Sequence, residues 1–391
     1  MDHNFSSDAQ KLVGSSTFKI SARTKELESL GLDIIHFEIG DPDFNTPSHV
    51  IDTAIDSLRR GDTHYVNPSG IFELREAICQ STFDSLGWEP AIDQVVVAPA
   101  KSFIYFVVKA LVNPGEAVIV ADPSYSSYFS TFDFIGVKAK IVPLHEKNSF
   151  KMKVADLEKV ITPECRLLIL NSPGNPTGAV ISGEDLAEIY KLCQKNNIYI
   201  LSLSDEIYSK MVYDKPHESI SIHDHCKERT IILNGFSKAY AMTGWRLGYA
   251  IAPIEIAKKL GLMVEMVISN VPPFIQHAGV AALKGDQTAI SSLLFELKKR
   301  RDILVDGINA IPSISCILPE GAFYAFVNIK ETGMTSLEFS KLALDKAGVA
   351  VLPGTDFGAN GEGYVRLAFV TSTAKITEGV NRLSALLNNK V

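Results

Sequence analysis

The chain has 391 residues, 46% of them hydrophobic and 21% charged, enough for two or three domains with packed cores at about 150 residues each; a wholly disordered, fibrous or repeat-built protein is excluded. Its 38 basic and 45 acidic side chains give a formal net charge of −7, so the basic field that draws in nucleic acid or anionic membrane is missing. Five cysteines, Cys79, Cys165, Cys193, Cys226 and Cys316, stand far apart without a C-x-x-C pair. They read as reduced thiols in a cytoplasmic protein rather than as a disulfide framework.

Residues 1–30 mix Asp2, His3, Lys11, Lys19, Arg23 and Lys25 with scattered apolar positions, a pattern unlike a signal peptide. The longest apolar runs, at 95–98 and 167–170, are strand-sized and far short of the ~20 residues that cross a bilayer. From about residue 48 to 285, β-rich runs at 94–97, 117–120, 138–142, 167–170, 198–203, 230–233 and 247–251 alternate with helical spacing, as at 101–112, 182–196 and 254–267. The runs are apolar almost throughout, which predicts crossover βαβ units and a mostly parallel sheet with helices on both faces. After Pro272-Pro273 the pattern changes to a long amphipathic stretch at 288–309. Strands are then expected near 314–318 and 323–327, a helix at 336–346, strands at 349–352 and 364–368, and a closing helix at 375–387. An α/β domain over 46–287 is therefore expected beside a smaller α+β domain. The first 45 residues are too few for a domain, so the smaller one is expected to combine 1–45 with 288–391.

Lys238 follows a strand and a small-residue turn, and Arg246 stands eight positions on among glycines that let backbone approach a ligand. A lysine beside an arginine in a cleft loses its proton more readily and can attack carbonyls; taken alone, it is more often a solvated strand-end charge. Two further clusters end strands at the same edge, Asn171 to Gly178 and Asp205-Glu206-Ile207-Tyr208. Open α/β sheets bind ligands there, although each cluster has ordinary turn and cap chemistry of its own. His223-Asp224-His225-Cys226 has no zinc-ligand spacing, and no metal is expected.

The run Ser237-Lys238-Ala239-Tyr240 to Thr243-Gly244-Trp245-Arg246-Leu247-Gly248, with Asn175-Pro176-Thr177-Gly178, Ser204-Asp205-Glu206-Ile207-Tyr208 and Tyr364-Val365-Arg366-Leu367, resembles the class I/II aminotransferases of pyridoxal phosphate fold type I. The likeness extends from Gly40-Asp41-Pro42-Asp43-Phe44 to Arg366, nearly the whole chain. It implies a large domain with a seven-stranded, mostly parallel sheet and a smaller α+β domain. Lys238 would hold the cofactor aldehyde as an imine and, once freed, shuttle the substrate proton. Asp205 would keep the pyridine nitrogen protonated, making the ring an electron sink. Asn175 and Tyr208 would bond the ring's 3′ oxygen, and Tyr125 would lie against the ring face. Arg246, the amides of Ala100 and Lys101 and the Ser237 side chain would take the phosphate. Tyr65 resembles a tyrosine that a neighbouring subunit gives to the phosphate, which implies a homodimer with shared active sites. Arg366, assisted by the Gly40 backbone, would grip the substrate α-carboxylate.

Two positions depart from the family pattern: Pro99 stands where a glycine is usual, and Gly235 where serine is frequent. Because proline lacks an N–H, the phosphate would depend more on Arg246. Lys101 matches a lysine that meets the distal carboxylate of dicarboxylic substrates in the bacterial aspartate aminotransferase subgroup. Aspartate or a similar L-amino acid is therefore the expected donor, and a 2-oxo acid such as 2-oxoglutarate the acceptor. The alternative on the same fold is a carbon–sulfur β-lyase. A ligand-sensing half of a transcription regulator would need an appended DNA-binding domain, which the first 45 residues and the acidic balance do not suggest.

Overall fold

The structure, a computed structural model, describes residues 5–12, 14, 16–202 and 208–388. Its helices are α1 (Ser7–Gln10), α2 (Ser16–Ser29), α3 (Ser48–Arg60), α4 (Phe72–Leu86), α5 (Ala100–Leu111), α6 (Ser126–Ile135), α7 (Val154–Val160), α8 (Gly183–Lys195), α9 (Ile254–Val267), α10 (Pro273–Lys284), α11 (Thr288–Asn309), α12 (Ser336–Ala347) and α13 (Thr373–Asn388). The strands are β1 (Ile35–His36), β2 (Val95–Val97), β3 (Ala117–Asp122), β4 (Lys138–Pro143), β5 (Cys165–Leu170), β6 (Tyr199–Ser202), β7 (Thr230–Gly235), β8 (Gly248–Ile251), β9 (Ser315–Cys316), β10 (Tyr324–Asn328), β11 (Val349–Ala350), β12 (Leu352–Pro353) and β13 (Tyr364–Ala368).

Seven strands form the central sheet in the order β2-β8-β7-β6-β5-β3-β4. Side chains alternate between its faces, and both faces are covered, which is why the runs read as continuously apolar. Val96, Val118, Leu167, Leu201 and Leu233 pack with Phe103 and Val107 of α5 and Leu260 of α9. Residues one position along go to the other side. Val97 and Ile232 meet Leu74 of α4 and Ala278 of α10, and Leu168 and Ile200 meet Leu186 and Ile189 of α8.

The neighbours from β4 through β7 are parallel, whereas β8 is antiparallel to both β7 and β2. The chain thus turns back after β7 without a crossover helix, and residues 236–247 form the connection along the carboxyl edge. Gly248 makes this arrangement possible, because a Cβ there would lie 2.7 Å from the Ala100 Cβ and 2.9 Å from the Asn234 carbonyl oxygen.

The remaining strands form a four-stranded sheet, β12-β13-β10-β9, and a parallel pair, β1 with β11. The run expected at 349–352 is two strands, because Val349–Ala350 pairs with β1 and Leu352–Pro353 pairs with β13, with Val351 between the two partners. Pro272-Pro273, where the sequence pattern changes, starts α10; proline suits a first helical position because its missing N–H has no acceptor there. Asp224 accepts from the amides of Cys226, Arg229 and Thr230, and His225 stacks on Trp88, so this polar cluster shapes the turn into β7.

Candidate active site

The parallel strands and β2 all end at one edge, and β8 begins there. After β2 comes the start of α5, after β3 Tyr125, after β5 the loop carrying Asn171 and Asn175, and after β6 Tyr208. After β7 comes Lys238, and Arg246 stands just before β8. Ala100, Lys101, Tyr125, Asn175, Tyr208, Ser237, Lys238 and Arg246 line a single cavity of about 190 Å³ with Asn171 and Tyr324. Asp205 falls outside the described residues, and its neighbour Tyr208 borders the same cavity.

Lys238 donates a 2.7 Å hydrogen bond to the Gly40 carbonyl, and its Nζ lies 5.7 Å from the centre of the Phe323 ring. Burial opposes the ammonium, Asp41 favours it, and Arg366 and Arg246 oppose it again, so its pKa is lowered to about 8. The amine therefore gives up its proton more readily than a lysine in water, as a carbonyl-attacking nucleophile requires.

Arg366, buried on β13, donates through Nη1 to Asn175 Oδ1 at 3.2 Å and through Nη2 to the Glu38 carbonyl at 2.6 Å. Its guanidinium carbon lies 4.5 Å from the centre of the Tyr324 ring and 4.9 Å from that of Phe357. No carboxylate neutralises it at hydrogen-bond distance among the described residues, and its buried Nε lacks a partner. An uncompensated guanidinium of this kind suits a carboxylate ligand.

Arg246 adopts a left-handed backbone at φ 57° and donates to the Thr243 carbonyl, while Thr243 donates to Asp41. Pro99 precedes α5 with its carbonyl accepting the Ser102 amide at 2.9 Å, and the first helical amides, of Ala100 and Lys101, have no acceptor within the helix. Proline at this cap thus leaves those two donors in place. The Lys101 side chain is exposed at the cavity wall, and Tyr65 stands 87% exposed.

Tyr324 was not singled out from the sequence. Its hydroxyl is 2.8 Å from that of Tyr208, its ring backs Arg366, and a Cβ on Gly40 would overlap its ring and hydroxyl. The only sequence signal was an aromatic in a strand-like run. Its role arises because β10 and β13 pair antiparallel, with Phe326 opposite Arg366 and Tyr324 opposite Ala368.

The family model for aminotransferase class I and II matches residues 33–383. The chain belongs to this family. An aspartate aminotransferase of Pyrococcus horikoshii is 38% identical over 361 residues, covering 92% of each chain. An aromatic-amino-acid aminotransferase of Thermococcus litoralis is also 38% identical, covering 91% of this chain and 92% of its own. Among solved structures, the aspartate aminotransferase of Thermus thermophilus with maleate superposes with a TM-score of 0.93 at 32% identity, covering 98% of this chain and all of its own.

The protein is accordingly a pyridoxal phosphate-dependent aminotransferase of fold type I, acting on amino and 2-oxo acids. The cavity fits that cofactor. It offers a lysine amine with lowered pKa, an arginine beside helix-start amides for a phosphate, and polar side chains around an aromatic wall. No described helix is long and apolar enough to cross a membrane.

Proposed function

We propose that this aminotransferase takes aspartate or a similar acidic L-amino acid as donor and a 2-oxo acid such as 2-oxoglutarate as acceptor. The amino-transfer part of the reading rests on the meeting of Lys238 and Arg366 at one loop, where the amine bonds the Gly40 carbonyl and the guanidinium bonds the Glu38 carbonyl two residues earlier; the acidic-donor part rests on Lys101. An amino acid held by its carboxylate at Arg366 has its α-nitrogen and Cα–H close to the Lys238 amine. Exposed Lys101 at the cavity wall is the cation offered to a second carboxylate, with exposed Lys19 on α2 as a further positive charge.

Lys238 is assigned the nucleophile and the base that takes and returns the Cα proton. When bound, pyridoxal phosphate supplies the electron sink for the pair left at Cα. Asn175, between Arg366 and the cavity, and Tyr208, tied to Tyr324, are assigned to its ring oxygen, and Tyr125 to its face. Arg246, the Ala100 and Lys101 amides and Ser237 are assigned to its phosphate, and Asp205 to the ring nitrogen. Residues 46–287 are taken as the cofactor-holding domain, and 1–45 with 288–391 as the one that brings Arg366. That division is supported by the seven-stranded sheet lying wholly inside the first. Tyr65, almost fully exposed, is assigned to the partner's phosphate in a homodimer, and a reducing cytoplasm suits five buried free cysteines.

The test is a two-stage absorbance titration of the cofactor-loaded enzyme. Aspartate should bleach the near-visible band, 2-oxoglutarate should restore it, and Lys238→Ala should show neither change. A Lys101→Ser variant should raise KM for aspartate about ten-fold more than for alanine, the loss of one charge-assisted hydrogen bond. Equal effects on both substrates remove the acidic-substrate reading. Pyruvate and ammonia released from cystathionine without an oxo acid would mark a β-lyase instead.

A further inference from the structure

The strand leading to Gly40 carries a charged cluster that the reaction as described leaves unused. His36, in β1, faces a carboxylate with each ring nitrogen: Nδ1 lies 2.8 Å from Glu38 Oε1, and Nε2 lies 3.1 Å from Glu28 Oε1 on α2. A carboxylate only accepts, and a neutral imidazole has a single N–H. Both contacts are therefore hydrogen bonds only when the ring is an imidazolium.

The surroundings favour that charge. The bond to Glu38 raises the pKa most, partial burial works against it, and Glu28 adds to the rise, so the ring titrates at about 9. From β11, the paired strand, come Val349 and Ala350, which carry no charge. Arg382 of α13, which also packs on β1, is engaged with Asp33 and Glu378. Glu38 itself is fully buried, with Oε1 on His36 and Oε2 lacking a partner among the described residues. The imidazolium is thus the charge that makes burial of this carboxylate tolerable.

The same residue holds the substrate-facing arginine. The Glu38 carbonyl accepts from Arg366 Nη2 at 2.6 Å, and one residue earlier the Phe37 carbonyl accepts from the Ala368 amide at 2.8 Å. The side chain of Glu38 is therefore tied through His36 to α2, and its backbone is tied to the guanidinium. We propose that His36 is a positioning residue for substrate binding: as an imidazolium it clamps α2 to Glu38 and so fixes the carbonyl that aims Arg366 at the substrate carboxylate. The inference rests on Arg366 being the carboxylate-binding group. Its sign follows from the direction of titration: the clamp is complete below about pH 9 and is lost as pH rises through that value.

Calorimetric titration of the cofactor-loaded enzyme with succinate and with 3-phenylpropionate tests this, because the two ligands share only the carboxylate that meets Arg366. In the unaltered protein both dissociation constants should rise about ten-fold between roughly pH 7.5 and 10. His36→Leu should bind both weakly across that range, with KM for the amino acid rising more than kcat falls. His36→Arg, which keeps a permanent charge and donors for two carboxylates, should restore tight binding and shrink the alkaline weakening, leaving only the part that follows Lys238. Tight binding in His36→Leu, or an alkaline weakening as large in His36→Arg as in the unaltered protein, overturns the proposal. Arg366→Lys separates the two layers of the argument. If it leaves both affinities intact, the assignment of Arg366 falls and His36 with it; if it weakens both while His36→Leu does not, only the role of His36 falls.

Discussion

At Lys238 the surroundings oppose the charge that a lysine carries in water, and that opposition has a cost in the cofactor-free protein. Its pKa falls from 10.5 to about 8, so below pH 8 the folded protein holds a disfavoured ammonium that the unfolded chain keeps without penalty. Lys238→Met should therefore raise the melting temperature of the cofactor-free protein at pH 7. The gain should be full below about pH 8 and shrink as pH climbs toward 10.5, which thermal unfolding across that range will show. A gain that does not change with pH would mean that packing of the methionine, not removal of charge, is responsible. Lysine, asparagine, tyrosine and arginine at strand ends were legible in the sequence, because their types and spacing suit the chemistry of an amine, an anion and a ring. The partners that tune them were not. Tyr324 touches Tyr208 and Arg366 from 116 and 42 residues away, and nothing local to an aromatic in a strand-like run announces such contacts.

At the level of elements, the decisive piece is the connection between β7 and β8. It carries both Lys238 and Arg246, and it stays on the carboxyl edge because β8 returns antiparallel instead of following a crossover helix. The apolar runs flanking it were readable as strands, but their relative direction was not, since a run apolar on both faces looks the same either way along the sheet. Gly248 holds β8 close to the start of α5, where an added methyl would press on the Ala100 amide nitrogen at 2.8 Å. Gly248→Ala should weaken cofactor binding by about ten-fold or more, measured as the dissociation constant of pyridoxal phosphate, because backbone on both sides has to move. At Gly235 the nearest atoms to a new Cβ are 3.3 Å and 3.4 Å away, so Gly235→Ser should change that constant much less. Equal losses at both positions would argue against close packing of β8 on the helix start.

At the level of the molecule, α9 leaves Leu262, Met266 and Val267 exposed, and the groove that α9 forms with α5 is lined by Ala110, Lys259, Leu262, Met263 and Met266. Apolar side chains gathered on one helix suit contact with a second copy, consistent with the dimer proposed from Tyr65. Met266→Glu combined with Leu262→Glu should turn a dimer into monomers by light scattering, because each carboxylate would have to be desolvated in the contact. Cofactor affinity should fall with it, since the partner's tyrosine would then be lost from the phosphate. A dimer that survives both substitutions places the contact elsewhere.

The sequence by itself determined the alternation of strands and helices, the family, and which side chains to propose for amino transfer, because periodicity and residue chemistry are local properties of a chain. Only the tertiary structure decided which carbonyl Lys238 bonds, which carbonyl Arg366 bonds, and that His36 lies between two carboxylates. Glu38 and Arg366 are 328 residues apart, and Gly40 and Lys238 are 198 apart. They meet because β1 pairs with β11 and the Phe37 carbonyl bonds the amide just past Leu367 in β13, and that register is set by burial across the whole fold.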